Sequence, residues 1–218
     1  MKYKCLCLDH DDTVVNSTAT IQYPCFMQYL EERYPHLAPN YTLESYFVKN
    51  FHPGVTALFR EEIGLSEEEM AEEEAYWRAY VKNHIPDIYP GMREILTEFS
   101  TRGGIIAVTS HSYRHYIERD YRHHRLPEPD IIYGWDLPPQ VRKPSPWSVL
   151  DVMEKFSLSR AEILVVDDLK PGYDMARGAG VDFAAAGWAY DVKEIEDFMR
   201  RNCDYYLPSV EDFAKLIL

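Results

Sequence analysis

The stretch Lys4-Cys5-Leu6-Cys7-Leu8-Asp9-His10-Asp11-Asp12-Thr13-Val14-Val15 constrains this chain more than any other. Its apolar residues read as a buried strand, which stops at three carboxylates, Asp9, Asp11 and Asp12, within four positions. A strand of that kind belongs inside a sheet. Acid at its end places charge at the carboxyl edge, where open α/β sheets bind ligands. Taken alone, the same residues also fit a strand followed by a polar turn, because Asp is a common turn residue.

Three downstream segments supply the residue types such an acid cluster needs. Ile105 to Ser110 is an apolar run ending in two hydroxyls, Thr109 and Ser110. Lys143-Pro144 lies just before a helical pattern. Ile163-Leu164-Val165-Val166-Asp167-Asp168 is a second apolar strand ending in paired carboxylates.

Between these motifs the periodicity predicts an α/β protein with a parallel sheet. After the first strand, residues 17 to about 84 read as helical, with Ile21, Cys25, Phe26, Tyr29 and Leu30 at helical spacing. Pro24 suits a helix start. The acidic run from Ser66 to Glu74 opens on an N-cap serine and is expected to be a solvated helix face. Ile88-Tyr89-Pro90-Gly91 marks a boundary, after which strands and helices of about ten residues alternate, as right-handed βαβ units do. The expected organisation is a core of residues 1–16 and 88–218, with residues 17–87 as an all-helical insert. His123 and His124 are adjacent and are expected to point apart on a helix, which argues against a metal pair.

The chain has 218 residues, 46% apolar and 14% aromatic, enough for one large domain or a domain with a smaller insert. A formal charge of −13 argues against nucleic acid or an anionic membrane as partner. A small phosphate is still accessible to such a protein through a local cation, which points to a divalent metal. Cys5 and Cys7 read as buried core residues, and Cys25 and Cys203 lack metal-like spacing, so a reducing, cytoplasmic setting is expected. The short apolar N-terminus does not resemble a secretory signal, and no run is long enough to span a membrane.

In chain order the motifs are Asp-x-Asp, then Ser or Thr, then Lys, then Asp-Asp. That order resembles the four motifs of the haloacid dehalogenase-like hydrolase superfamily, whose members are mostly phosphatases. The resemblance runs through Asp9 to Thr13, Gly104 to Ser110, Arg142 to Pro146 and Val166 to Gly172, and continues over Met175 to Gly180. It implies an α/β fold whose doubly wound parallel sheet forms a Rossmann-like core, with an inserted all-helical cap, acting on a small phosphorylated metabolite. By the same resemblance Asp9 is the nucleophile that forms an aspartyl-phosphate, and Asp11 is the general acid and base. The implied Mg²⁺ ligands are Asp9, the main-chain carbonyl of Asp11, Asp168 and Asp167, the last direct or through water. Ser110, with Thr109 as the alternative hydroxyl and His111 just beyond, would bind the phosphoryl oxygens, and Lys143 would add positive charge to the same group.

Asp12 stands where that family usually has Gly. A third acid there is expected to raise neighbouring carboxyl pKa values or perturb the turn, unless its side chain points outward. An acid at position 11 favours phosphate-ester chemistry over the dehalogenating and phosphonate-cleaving branches. A sugar phosphomutase uses the same core, and a catalytically silent binder is a further alternative. A response-regulator receiver fits less well, because its acid pair follows the first strand and it has no helical insert.

Overall fold

The computed structural model describes residues 1–218, which divide into two compact units: residues 1–16 with 88–218, and residues 17–87.

The first unit is built on six parallel strands in the order β5-β4-β1-β6-β7-β8. These are β1 (Cys5–Leu8), β4 (Ile105–Thr109), β5 (Ile131–Tyr133), β6 (Ile163–Asp167), β7 (Asp182–Ala186) and β8 (Tyr205–Leu207). Two further short strands, β2 (Val15–Asn16) and β3 (Asp87–Ile88), pair as a ribbon. Neither was expected, since two residues are too few to show alternation.

β1 and β6 lie in the interior of the sheet and are buried at every position. Strands covered on both faces read as unbroken apolar runs, and these two do. On one face, Leu6, Leu8, Ile106, Val108, Leu164, Val166 and Ala184 pack with α5 (Met92–Thr101), α6 (Arg114–His123) and α10 (Val210–Ile217). Met92, Leu96, Phe99, Ile117 and Phe213 carry that contact, all fully buried. Burying each side chain of this size contributes about 1.5–3 kcal/mol. The opposite face is covered by α7 (Trp147–Phe156), α8 (Lys170–Ala179) and α9 (Lys193–Asn202), where Tyr173 and Phe198 meet edge to face and Tyr173 also meets Phe183 of β7. Helices on both faces make the sheet doubly wound, as the resemblance implies.

The register sets the site. Leu8 pairs with Val108 on one side and Val166 on the other, so the residues that follow, Asp9, Thr109 and Asp167, share one row at the carboxyl edge. The chain crosses from one side of β1 to the other at this point, and such switch points open a crevice there.

The second unit contains α1 (Tyr23–Arg33), α2 (Leu43–Phe51), α3 (Val55–Ala57), continued as a π-helical stretch at Leu58–Ile63, and α4 (Glu67–Val81). Its core is aromatic: Phe26 meets Tyr41 and Phe59 edge to face, and Tyr29 meets Tyr76 the same way. The tyrosine hydroxyls at the rim find carboxylates, Tyr34 on Glu69 and Tyr76 on Glu32. Ser66 caps α4 in a reciprocal capping box with Glu69, as its sequence predicts.

Two local expectations are corrected. Glu67, Glu68, Glu72 and Glu74 are exposed, but Glu73 is turned inward and half-buried, so α4 is not a uniform solvated face. The His123 and His124 rings do not point apart; they lie 4.9 Å from each other, edge to face, because α6 ends at His123 and His124 leaves the helical path.

Candidate active site

Asp9 continues β1 and its backbone N–H donates to Val166 O at 2.9 Å, so the carboxylate leaves the sheet between β4 and β6. The chain then turns sharply: Val14 N–H and Val15 N–H both donate to His10 O, and Asp12 N–H donates to Val15 O. Closing that turn puts Asp12 at φ 55, a left-handed conformation that Asp tolerates better than most residues. Asp12 is 3% exposed, so its side chain does not point outward. Its charge acts on Asp168, whose pKa is pushed well up by burial first and then by Asp167, Asp12 and Asp9. The expected effect on a neighbouring acid is therefore present.

Lys143 joins the two strand ends. Its Nζ lies 2.9 Å from Asp9 Oδ1 and donates to Asp167 Oδ2 at 2.7 Å, with all three side chains buried. Burial alone would push the ammonium towards neutrality, but the charges of Asp167 and Asp9 outweigh it and hold Lys143 protonated. Asp167 is pushed up to about 7, by burial and by Asp9 against the pull of Lys143. It is also oriented by Leu169, whose N–H donates to Asp167 Oδ1 at 2.8 Å.

The two hydroxyls that follow β4 part company. Thr109 Oγ1 contacts Ser148 Oγ of α7 at 3.5 Å, whereas Ser110 Oγ lies 3.5 Å from Asp11 Oδ2. Ser110 Oγ also accepts the Ser112 N–H at 3.1 Å, which fixes the loop, while its own hydroxyl is directed at Asp11 Oδ2. His111 stays at the rim, with Nε2 3.1 Å from Lys143 O and its ring edge-on to Trp135. Of the eight residues singled out in the sequence, the structure thus gathers Asp9, Asp11, Ser110, Lys143, Asp167 and Asp168. Thr109 turns towards α7, and His111 touches the backbone of Lys143.

Four participants carry no sequence signal: Ser112, His10, Asp120 and Arg119. Ser112 Oγ donates to Asp11 Oδ2 at 2.5 Å. His10, 1% exposed between the two acids, pairs through Nε2 with Asp120 Oδ2 at 3.1 Å, and Arg119 Nε donates to the other Asp120 oxygen. Burial pushes His10 down, but the bond to Asp120 and the charges of Asp11, Asp120 and Asp9 prevail and raise its pKa. A protonated His10 would set a buried positive charge behind the acidic loop.

Carboxylate oxygens of Asp9, Asp167 and Asp168 lie within 4.8 Å of one another. Asp168 Oδ1 is buried with no hydrogen-bond partner, a costly state for a carboxylate that a cation would relieve. An all-oxygen donor set of this kind fits a hard divalent ion such as Mg²⁺.

Residues 6–186 match the family model for haloacid dehalogenase-like hydrolases. A phosphoglycolate phosphatase from Nitrosospira multiformis is 29% identical over 145 residues, which span 65% of this chain and 63% of that protein's length. Among solved structures, a protein assigned as a haloacid dehalogenase-like hydrolase from Bacteroides fragilis superposes with a TM-score of 0.78 at 22% identity, covering 99% of this chain and 100% of that one. A haloacid dehalogenase-like family hydrolase from Streptococcus pneumoniae superposes with a TM-score of 0.70 at 18% identity, over 99% of both chains. These likenesses carry the fold. No helix is long and apolar enough to cross a membrane.

Proposed function

Because the chain belongs to the haloacid dehalogenase-like hydrolase family, we propose that it is a phosphatase that hydrolyses a small organic phosphate monoester through a phosphorylated Asp9. The observation that carries this reading is the placement of Asp11: it stands two residues beyond Asp9, on a short turn, with its carboxylate held by Ser112 and near Ser110.

In this reading an Asp9 carboxylate oxygen attacks phosphorus and the P–O bond to the alcohol breaks. Asp11, protonated at that stage, gives its proton to the departing alkoxide. It then accepts a proton from the water that attacks the aspartyl-phosphate, which releases phosphate and restores Asp9. Ser110, whose oxygen already accepts from Ser112 N–H, donates to a phosphoryl oxygen; Thr109 is turned away from that task. Lys143 holds Asp9 against Asp167 and offsets charge on the transferring group. Asp9, Asp168, the main-chain carbonyl of Asp11 and Asp167, direct or through water, would hold Mg²⁺. When bound, that ion offsets the like charges of carboxylate and phosphate. The inserted unit of residues 17–87 serves as the cap that selects the leaving group and limits water. The name of the Nitrosospira multiformis relative makes phosphoglycolate the first ester to test.

The test is phosphate release from phosphoglycolate, sugar phosphates, nucleotides and an aryl phosphate, with Mg²⁺ and with chelator. Mg²⁺-dependent release that Asp9→Asn abolishes, at an unchanged thermal midpoint, is the expected result. No release from any ester would overturn the reading, and interconversion of sugar phosphates without release would replace it with a mutase.

A further inference from the structure

Between β7 and α9 the chain passes through Gly187–Val192, a segment with no family motif that nevertheless touches both acid-bearing loops. It is anchored firmly. A Cβ on Gly187 would come within 2.5 Å of the Tyr206 ring and 2.8 Å of Leu207 O, so only glycine lets the chain lie this close to β8. Gly187 N–H donates to Ala185 O and Ala189 N–H to Ala186 O, tightening the turn, and the Trp188 ring packs on Phe213 at 5.7 Å.

From that anchor two side chains reach out. Trp188 Nε1–H donates to Thr13 O at 3.1 Å, on the loop that carries Asp9, Asp11 and Asp12. Tyr190 O–H donates to Asp168 O at 2.9 Å, on the loop after β6. One six-residue stretch therefore ties together two loops that lie far apart in sequence, one after β1 and one after β6.

The tie matters most for Asp168. Asp167 is oriented through its own carboxylate, by Lys143 and the Leu169 N–H, whereas Asp168 Oδ1 has no partner. A side chain without such a partner points where its backbone directs it, and a hydrogen bond to the carbonyl fixes the peptide plane that sets the direction. We propose that Tyr190 and Trp188 are positioning residues that hold the two acid-bearing loops in register and so set the affinity of the site for a divalent cation. The inference rests on the reading of Asp9 and Asp168 as cation ligands. Groups that orient metal ligands without touching the metal commonly change affinity about 10–100-fold when removed.

The experiment is calorimetric titration of the full chain with Mg²⁺ alone, beside thermal unfolding of the cation-free protein. Tyr190→Phe, which keeps the ring and removes only the donor, is expected to weaken Mg²⁺ binding about tenfold with an unchanged cation-free midpoint. Trp188→Phe is expected to weaken it in the same direction. Tyr205→Phe, which removes a hydroxyl from the Lys2, Tyr3 and Asp182 cluster, should leave affinity unchanged. Wild-type affinity in both Tyr190→Phe and Trp188→Phe overturns the inference and leaves the phosphatase reading standing. A loss of affinity matched by an equal loss of cation-free stability overturns the positioning role. A wild-type chain that hydrolyses esters but binds no Mg²⁺ overturns the inference and the cation assignment together.

Discussion

Ser112 Oγ donates to Asp11 Oδ2 at 2.5 Å across 101 residues of sequence. A hydrogen bond to an ionised group is worth about 1.5–3 kcal/mol, and here it also aims the carboxylate. Asp11 is half-buried rather than sealed in, so without Ser112 only the long contact from Ser110 holds the side chain against rotation towards solvent. Ser112→Ala is therefore expected to lower kcat about tenfold, the rate equivalent of the lower bound of that energy, with KM little changed. Steady-state kinetics on the best ester found checks this, and an unaltered kcat would remove Ser112 from the acid–base step.

Lys143 separates two buried acids, Asp9 and Asp167, that would otherwise face each other with no counter-charge. Removing one partner of a buried ion pair costs about 3–5 kcal/mol, because the remaining charge stays desolvated. Lys143→Met keeps the length of the side chain and deletes the charge. The expected loss is about 3 kcal/mol in cation-free unfolding free energy, measured by urea denaturation, and phosphate release should fall below detection.

Gly172 opens α8 against Asp167. A Cβ there would sit 2.1 Å from Asp167 Oδ2 and 2.2 Å from its Cγ, and Asp167 is fully buried with nowhere to retreat. Gly172→Ala should thus cost about 1–3 kcal/mol of stability, as overpacking does, although alanine is the better helix former. The same variant should weaken Mg²⁺ binding. A stabilised Gly172→Ala protein would show that α8 can move off the acid at little cost.

The parts that were legible in the sequence share a physical cause. β1, β4 and β6 are covered on both faces and leave unbroken apolar runs, and polar residues at their ends break those runs abruptly, so Asp9, Ser110, Asp167 and Asp168 announce themselves. Lys143 is marked by Pro144 and the helix start behind it. By contrast, Ser112, Asp120, Trp188 and Tyr190 are ordinary residues in their own segments. Their partners, Asp11, His10, Thr13 and Asp168, are brought to them by strand order, which local periodicity does not encode. Asp12 is legible as an anomaly but not as a buried one. A carboxylate in a turn normally faces water, and here the left-handed turn carries it inward.

Glu73 offers a test confined to the helical insert. Burial, and secondarily the charge of Glu74, pushes its pKa from 4.5 up to about 7. Its charge in turn acts on Cys25, whose thiol is pushed up to about 12 chiefly by burial. A carboxyl with a higher pKa folded than unfolded takes up a proton on folding. Its contribution to stability is complete below about pH 4.5 and is lost as pH rises through about 7. Glutamine mimics the protonated form at every pH. Glu73→Gln should therefore match the wild type in thermal midpoint near pH 4.5 and exceed it increasingly from pH 6 to 8. Parallel midpoints across that range would mean that Glu73 ionises in the folded chain as it does in the unfolded one, with its carboxyl in water.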